Sequence, residues 1–203
     1  MFEVVTLNNS SAELNTLAIE LHRPDDLIAI FNQLFAESEN TQLIRGGDEP
    51  IYLPADADCA FHRVVFAHGF FSSALHEISH WCIAGAQRRQ ALDYGYWYAP
   101  DGRTEQQQLA FEQVEVKPQA LEWVLSKACG KDFRVSVDNL SGAETYAQPF
   151  KQAVYQQVLA YAKQGLPERA QLFLNQLCVF YGINLVSESY CFNPQPFALS
   201  ELG

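Results

Sequence analysis

The chain has 203 residues, of which 48% are hydrophobic and 18% are charged, so it can bury a sizeable core and is not a disordered chain. Its formal net charge of −11 argues against a general binder of nucleic acid or of an anionic membrane surface. No run of ~18 apolar residues occurs, so no transmembrane helix is expected. The first residues lack the basic start and apolar stretch of a secretory signal.

The cysteine content indicates a reducing compartment. The chain has five cysteines, which is an odd number, and no two of them have the C-x-x-C spacing. This pattern predicts buried thiols and not a disulfide framework or a zinc–thiolate site. We therefore expect a cytoplasmic protein.

The first predicted helix begins at Pro24, because proline fits the first turn and the acids Asp25 and Asp26 suit the positive end of a helix. Apolar residues follow at helical spacing, namely Leu27, Ile30, Phe31, Leu34 and Phe35. Residues 45–58 contain two glycines, two prolines and several acids, and this composition predicts a loop.

The middle of the chain predicts a strand, a helix and a second strand. Residues 63–67 form a short run of β-branched and aromatic residues that is typical of a strand. A helix is expected next, with Ser72 or Ser73 as its N-cap and Gly85 just past its end. Residues 94–98 are rich in aromatic side chains and predict a second strand.

The second half of the chain is predicted to be mostly helical. A long helical pattern covers residues 104–129, and Pro118 interrupts it, so we expect a kink or two helices that meet near Val116. The last predicted elements, a third strand and two closing helices, are residues 133–137, 145–164 and 167–181. Together these elements predict an α+β domain that is mostly helical, with a small sheet.

The strongest motif is the H-E-x-x-H pattern of His76, Glu77 and His80, which lies within a predicted helix. Four helical residues turn through ~400°, so the two histidines lie on one face and can bind the same metal ion. Glu77 is rotated by ~100° from His76 and flanks the metal. A carboxylate in that place can accept a proton from a metal-bound water or steer another group.

Two histidines need a third protein ligand to complete a metal site. His80 is the last histidine of the chain, which excludes the longer three-histidine motif, so we expect a carboxylate from a later helix. Glu115 is favoured, because an acid between two valines is unusual on a solvated helix face. The other candidates are Glu112, Glu122, His62 and His68.

Two histidines and a carboxylate can serve two chemistries. With zinc they form a peptidase site in which Glu77 is the general base. With ferrous iron they form the facial triad of a non-haem oxygenase. Metal affinity usually favours zinc, so the residues alone favour the peptidase. A third hypothesis is a non-enzymatic interaction module that binds a structural metal or none.

Longer segments give the chain a more specific resemblance. The segment HEISHWCIAG at residues 76–85 and the segment VEVKPQA at residues 114–120 are similar to the bacterial elongation factor P hydroxylase family. The likeness covers about residues 25–180 in order. It also includes residues 48–57, 66–70, 96–98, 100–103, 138–140 and 165–169.

This resemblance implies a metal-dependent hydroxylase that acts on a lysine of elongation factor P already bearing a β-lysyl group. It also implies molecular oxygen as co-substrate and a divalent metal ion, for which we expect Fe(II), with zinc as the alternative. The implied ligands fall on His76, His80 and Glu115. Glu77 then lies beside the metal or orients the substrate. The implied fold is of the H-E-x-x-H metalloprotein type and not a jelly roll.

A β-lysylated lysine is a long cation, and several residues are candidates for binding it. Asp48 and Glu49 can pair with its ammonium groups. Tyr96 and Trp97 can stack on its aliphatic stem or hold an ammonium by cation–π attraction. His68 lies near the start of the motif helix and is expected to line the site.

The domain organisation follows from the motif and the resemblance. Residues 1–22 are predicted to be an N-terminal arm and residues 191–203 a C-terminal tail. The catalytic metal-binding domain is expected at residues 23–190.

Overall fold

The computed structural model describes residues 21–95, 104–136, 147–185, 187 and 191–202. These residues contain five α-helices and a three-stranded sheet, which confirms the predicted α+β class with its helical majority. Most of the buried apolar side chains form one continuous hydrophobic cluster. Within the described ranges no helix is both long and apolar enough to cross a membrane.

The sheet has mixed strand directions and consists of β1 (Thr41–Arg45), β2 (Ile51–Leu53) and β3 (His62–Phe66). The central strand β3 pairs in parallel with β1 and antiparallel with β2. The last three residues of β3, which are Val64, Val65 and Phe66, are buried. The run of buried residues on β3 is typical of a central strand, because such a strand is covered on both faces.

The prediction of a strand at residues 63–67 is confirmed by β3, but the other two strands were not predicted. The loop predicted over residues 45–58 is wrong at both its start and its middle, since Arg45 ends β1 and β2 lies within it. Pro50 and Pro54 flank β2, and they are part of the composition that predicted a loop here. The strand forms there because it pairs with β3, and Tyr52 at its centre is buried against the core.

Along the chain, one helix precedes the three strands and a second helix follows them. Helix α1 is Pro24–Phe35, as predicted, and helix α2 is Phe71–Ile83. Neither Ser72 nor Ser73 caps α2, because the N-cap residue is Phe70. The hydroxyl of Ser73 instead accepts a hydrogen bond from the amide of Ala67 at the end of β3.

The turn between β3 and α2 depends on left-handed backbone. His68 and Gly69 have φ values of +52° and +66°. The amide of His68 donates to the carbonyl of Gly47, which ties this turn to the loop after β1. The chain then enters α2 directly, so the sheet fixes where the motif helix begins.

Helix α3 is a single helix, Glu105–Ala128, that runs through Pro118. The expectation of two helices is therefore wrong. A proline has no amide to donate to the carbonyl of residue 114 and its ring crowds the preceding turn. Residues on both sides of Pro118 are buried, among them Glu115 and Leu121, so packing offsets the lost hydrogen bond and the helix continues through the proline. Thr104 begins the helix with a capping box that it forms with Gln107.

Two further strand predictions are wrong within the described residues. Leu92–Gly95 forms a tight turn with left-handed backbone at Asp93 and Tyr94 where a second strand was expected, and residues 96–98 lie outside the described part. Residues 133–136 are irregular where a third strand was expected. The side-chain amide of Gln119 bonds both the amide and the carbonyl of Ser136, so this segment pairs with a side chain in place of a strand.

Helices α4 (Ala147–Gln164) and α5 (Glu168–Tyr181) confirm the two predicted closing helices. Helix α3 packs against α2, α4 and α5, so it lies at the centre of the helical layer. Residues 191–202 also reach the core, where Phe192 and Phe197 are buried. The predicted N-terminal arm falls almost entirely outside the described residues. The proposed division of the chain into domains stays a prediction.

Candidate metal centre

Helix α2 carries the H-E-x-x-H motif on the side of the helix that is partly exposed to solvent. Its other faces are buried, with Leu75, Ile78 and Trp81 inaccessible to solvent. His76 and His80 follow each other by one turn and point toward α3, against which α2 packs. The apolar faces of α2 therefore fix the direction of both imidazoles.

The end of α2 is held by an arginine from a distant helix. One nitrogen of Arg169 on α5 lies 3.0 Å from the carbonyl oxygen of Trp81, 3.2 Å from that of Cys82 and 2.6 Å from that of Ala84. Its guanidinium also lies over the Trp81 ring at 4.6 Å from the centroid. The arginine satisfies carbonyls that a helix end leaves without partners, and it complements the negative end of the dipole. Gly85, in contrast, does not adopt the left-handed conformation of a glycine C-cap.

Helix α3 supplies two buried carboxylates to the same place. Glu115 and Glu122 are seven residues apart, which is about two helical turns, so they lie on one face. Only 2% of Glu115 and 9% of Glu122 is exposed. Charged residues are rarely buried to this extent unless they have a partner of opposite charge or a metal ion.

The two imidazoles and Glu115 converge on one point. Nε2 of His76 lies 3.1 Å from Nε2 of His80. Oε1 of Glu115 lies 3.2 Å from Nε2 of His80, and Oε2 lies 3.5 Å from Nε2 of His76. Ligand atoms ~2.1 Å from a shared ion are about 3.0 Å apart in an octahedral and about 3.4 Å apart in a tetrahedral arrangement. The three side chains therefore have the spacing of a metal site.

One oxygen of Glu115 supports this interpretation further. Its Oε2 atom is buried and has no hydrogen-bond partner. An unpartnered buried carboxylate oxygen is costly, and a cation beside it would remove the cost. Across the described residues, His76, His80 and Glu115 form the cluster whose ligand atoms lie within 4.8 Å of one another. Imidazole and carboxylate together suit a divalent ion such as zinc or ferrous iron.

Glu122 contacts His76 and does not join the ligand cluster. Nδ1 of His76 lies 2.9 Å from Oε2 of Glu122. A carboxylate can only accept, so Nδ1 carries the proton and Nε2 is the nitrogen that faces His80 and Glu115. Carboxylates in this position fix the ring of a metal-binding histidine. This role was missed in the sequence, although the seven-residue spacing from Glu115 was a usable signal.

The neighbouring charged groups shift the pKa values of His76 and Glu115 in opposite directions. Burial opposes a charge on His76, but the hydrogen bond to Glu122 and the charges of Glu122 and Glu115 outweigh it and raise the pKa of His76 to about 10. For Glu115, burial raises the pKa, but the neighbouring His80 and His76 outweigh it and lower the pKa to about 2. Glu115 is thus ionised at neutral pH, while a metal must displace a proton from His76.

A cavity of about 210 Å³ opens beside the three candidate ligands. Glu77 lines this cavity together with the three candidate ligands. Burial raises the pKa of the Glu77 carboxyl, and the neighbouring His76 and His80 only partly offset this effect. The remaining described lining residues are Pro50, Asp93, Tyr94 and Phe111.

The wall of this cavity includes two residues with strained backbone. Asp93 and Tyr94 have φ values of +48° and +57°, which are uncommon for residues other than glycine. The carboxylate of Asp93 accepts from the amide of Tyr52, and the Tyr94 ring stacks on that of Tyr52 at 4.3 Å. Strain of this kind is concentrated at functional sites. The sequence analysis did not indicate it, although aspartate enters the left-handed region more readily than most residues do.

Three of the five predicted substrate-binding residues are described, and none of these three is among the described lining residues of the metal cavity. Asp48 and Glu49 are exposed on the loop before β2. His68 is exposed in the turn before α2, with its Nδ1 atom 3.9 Å from Asp48. Tyr96 and Trp97 fall outside the described residues. A role for these five side chains in binding substrate stays a prediction.

The other candidate ligands have different partners. Glu112 accepts a hydrogen bond from the side chain of Gln108, one turn before it on α3. Nδ1 of His62 accepts from the amide of Ala55, and its ring stacks on Tyr52. Neither side chain belongs to the cluster around His76.

Comparisons with known proteins point to one family. The family model described as "Elongation factor P hydroxylase" matches residues 30–190. A curated protein of Haemophilus influenzae, named elongation factor P lysine hydroxylase, is 57% identical over 160 residues. That alignment covers 79% of this chain and 90% of the relative.

Proposed function

The chain belongs to the elongation factor P hydroxylase family, and on this basis we propose that it hydroxylates the β-lysylated lysine of elongation factor P. The observation that supports this most strongly is the convergence of His76, His80 and Glu115 beside a cavity. The match to the family over residues 30–190 also supports a catalytic domain at residues 23–190. Molecular oxygen is the proposed source of the added atom.

The proposed metal is Fe(II), held by His76, His80 and Glu115. A redox-active ion of this kind supplies the oxygen activation that insertion into an unactivated C–H bond requires. Three protein ligands on one side leave positions open for other groups. Zinc fits the same ligands but has no redox chemistry, so it does not suit hydroxylation.

The side chains around the metal have separate proposed roles. Glu122 holds the His76 ring so that Nε2 is directed at the metal. Glu115 gives the site a negative charge, since its pKa of about 2 keeps it ionised. Glu77 and Asp93 add carboxylates to the cavity wall, where they attract and orient an ammonium group of the substrate. Hydroxylation needs no hydrolytic water, so Glu77 is not assigned the part of a general base.

The proposed compartment is the cytoplasm. All five cysteines are free thiols, with Cys82 and Cys129 buried and the other three half-buried. Free thiols of this kind persist in a reducing compartment.

Intact-mass spectrometry of elongation factor P tests the proposed function. The factor is purified from cells with and without the gene for this chain. We expect that the β-lysylated factor loses the mass of one oxygen atom when the gene is deleted and regains it on complementation. If the added oxygen persists at normal occupancy in the deletion strain, the proposed function is wrong.

A further inference from the structure

A second cavity, of about 520 Å³, shares His80 and Tyr94 with the metal cavity. It lies between residues 83–88, at and after the end of α2, and residues 113–118 of α3. We call this space the cationic cleft. Because a candidate metal ligand forms part of its wall, a molecule bound in the cleft lies next to the metal centre.

The two cavities differ in charge. Arg88 and Lys117 line the cationic cleft, and its described lining residues include no carboxylate. The described lining of the metal cavity contains three acids, Glu77, Asp93 and Glu115. In a chain with a net charge of −11, a cleft with two cations and no described acid is suited to an anion. The acidic cavity and the cationic cleft therefore favour ligands of opposite charge.

The cleft also contains neutral hydrogen-bonding groups. The guanidinium of Arg88 donates to the carbonyl of Tyr94 at 3.2 Å, which holds this cation close to the shared wall. The amides of Gln87 and Gln113 line the same space. Pro118 has no amide, so the carbonyl of Val114 lacks its helical donor at this place. A ligand with a carboxylate and a hydroxyl or carbonyl group would find both donors and an acceptor.

Hydroxylation also requires a co-reactant that the substrate cannot supply. Insertion of one atom of O2 into a C–H bond, with reduction of the other atom, consumes two electrons. The metal cavity holds only about 210 Å³, which suits the end of a cationic side chain and leaves little room for a second organic molecule. Resting on the proposed function, we infer that the cationic cleft binds a small organic acid that donates these two electrons.

Two classes of organic acid have this chemistry. An ene-diol acid gives two hydrogen atoms and becomes a diketone, so that C–H + O2 + donor-H2 yields C–OH + H2O + donor. A 2-oxo acid gives its electron pair as it loses CO2, so that C–H + O2 + R–CO–COO⁻ yields C–OH + R–COO⁻ + CO2. Both classes carry the negative charge that Arg88 and Lys117 would bind.

Calorimetric titration of the zinc-loaded full-length chain tests this inference, because zinc allows no turnover. The probes are ascorbate as the ene-diol acid, 2-oxoglutarate as the 2-oxo acid, and succinate and inorganic phosphate as anions that donate no electrons. We expect one of the two reducing acids to bind at least about tenfold more tightly than succinate or phosphate. The acid that does so identifies the class of donor.

Two substitutions locate the binding in the cleft. Lys117→Gln removes a cation and Gln113→Glu adds an acid, and each is expected to weaken the bound acid by about tenfold. Lys163→Gln changes the same charge at the exposed end of α4 and should leave the affinity unchanged. Zinc content and thermal unfolding are measured on every variant to show that the fold and the metal site are kept.

The inference is wrong if neither reducing acid binds, if succinate and phosphate bind as tightly, or if both cleft variants bind like Lys163→Gln. These results would leave the proposed function intact, because it is judged by the mass of elongation factor P and not by ligand binding.

Discussion

Glu122 is the residue whose effect on the metal can be measured most cleanly. It contacts His76 through Nδ1 and does not itself face the metal position. We predict that Glu122→Gln keeps the fold but weakens metal binding by about 10- to 100-fold, because the ring loses its charged partner. The measurement is a competition between the protein and a chelator of known affinity.

Glu112→Gln is a matched control for this substitution. Glu112 lies on the same helix and accepts a hydrogen bond from Gln108 at a distance from the ligand cluster. It should bind metal like the unmodified chain. Equal metal affinity in Glu122→Gln and Glu112→Gln would show that the contact with His76 does not support the site.

His76 also predicts a proton release. Its pKa is raised to about 10 by Glu122 and Glu115 against the opposing effect of burial, so the ring is protonated in the metal-free protein near neutral pH. A metal ligand must be deprotonated, and we therefore expect metal binding to release about one proton. Titration calorimetry in two buffers of different ionisation enthalpy measures this number. Binding with no proton exchange would contradict the raised pKa.

Glu77 has different expected roles in a hydroxylase and in a hydrolase. In the proposed reaction its carboxylate orients the cationic substrate, so Glu77→Gln should retain the metal and lower kcat/KM by about tenfold. Hydroxylation of β-lysylated elongation factor P by the purified variant is the assay. Unchanged kcat/KM would remove Glu77 from substrate binding, and loss of metal would show that it holds the site itself.

At the scale of elements, the position of α2 decides where the two histidines lie. Arg169 from α5 contacts three carbonyls at the end of this helix and covers Trp81. A lysine at position 169 would keep the positive charge but would lose the planar guanidinium that contacts the carbonyls and stacks on Trp81. We predict that Arg169→Lys lowers the free energy of unfolding by about 1–3 kcal/mol. Urea denaturation measures this change, with the exposed Arg134→Lys as control.

An unchanged unfolding free energy in Arg169→Lys would mean that α2 is held by its apolar faces alone. Residues 165–169 were part of the resemblance to the family, although nothing in the sequence said which element they contact. The structure gives one physical reason for this arginine, which is the capping of the motif helix.

The elements that could be predicted from the sequence have strong local signals. Pro24 with its following acids marks the start of α1, and residues 165–167 separate α4 from α5 as expected. Strands β1 and β2 have no comparable signal, because their stability comes from pairing with β3. The turn at Asp93 and Tyr94 could not be predicted either, because contacts with β2 hold its left-handed backbone.

The candidate site was predictable to a similar degree. The motif spacing places His76 and His80 together, and the pair of valines around Glu115 marked it as a buried acid. The contact between Glu122 and His76 depends on how α3 lies against α2, which no local pattern specifies. Pro118 even suggested a break in α3, whereas the packed helix carries both glutamates on one face.

At the scale of the whole molecule, the acidic balance and the metal cavity are consistent with a cationic substrate. The net charge of −11 favours a positively charged partner over long distances, and Glu77 and Asp93 extend this preference to the cavity wall. In the proposed function this partner is elongation factor P, which appears in the description of the matching family. What links these levels is the proposed metal centre, which three side chains from two helices would form.

The most direct test of that link replaces the ligand from α3. Cells that lack the gene are complemented with the unmodified chain, with Glu115→Gln or with Glu112→Gln, and the intact mass of elongation factor P is measured in each. Thermal unfolding of the purified variants shows that all three are folded. We predict that the added oxygen is present with the unmodified chain and with Glu112→Gln and absent with Glu115→Gln. Full hydroxylation by a folded Glu115→Gln variant would contradict the proposed metal centre.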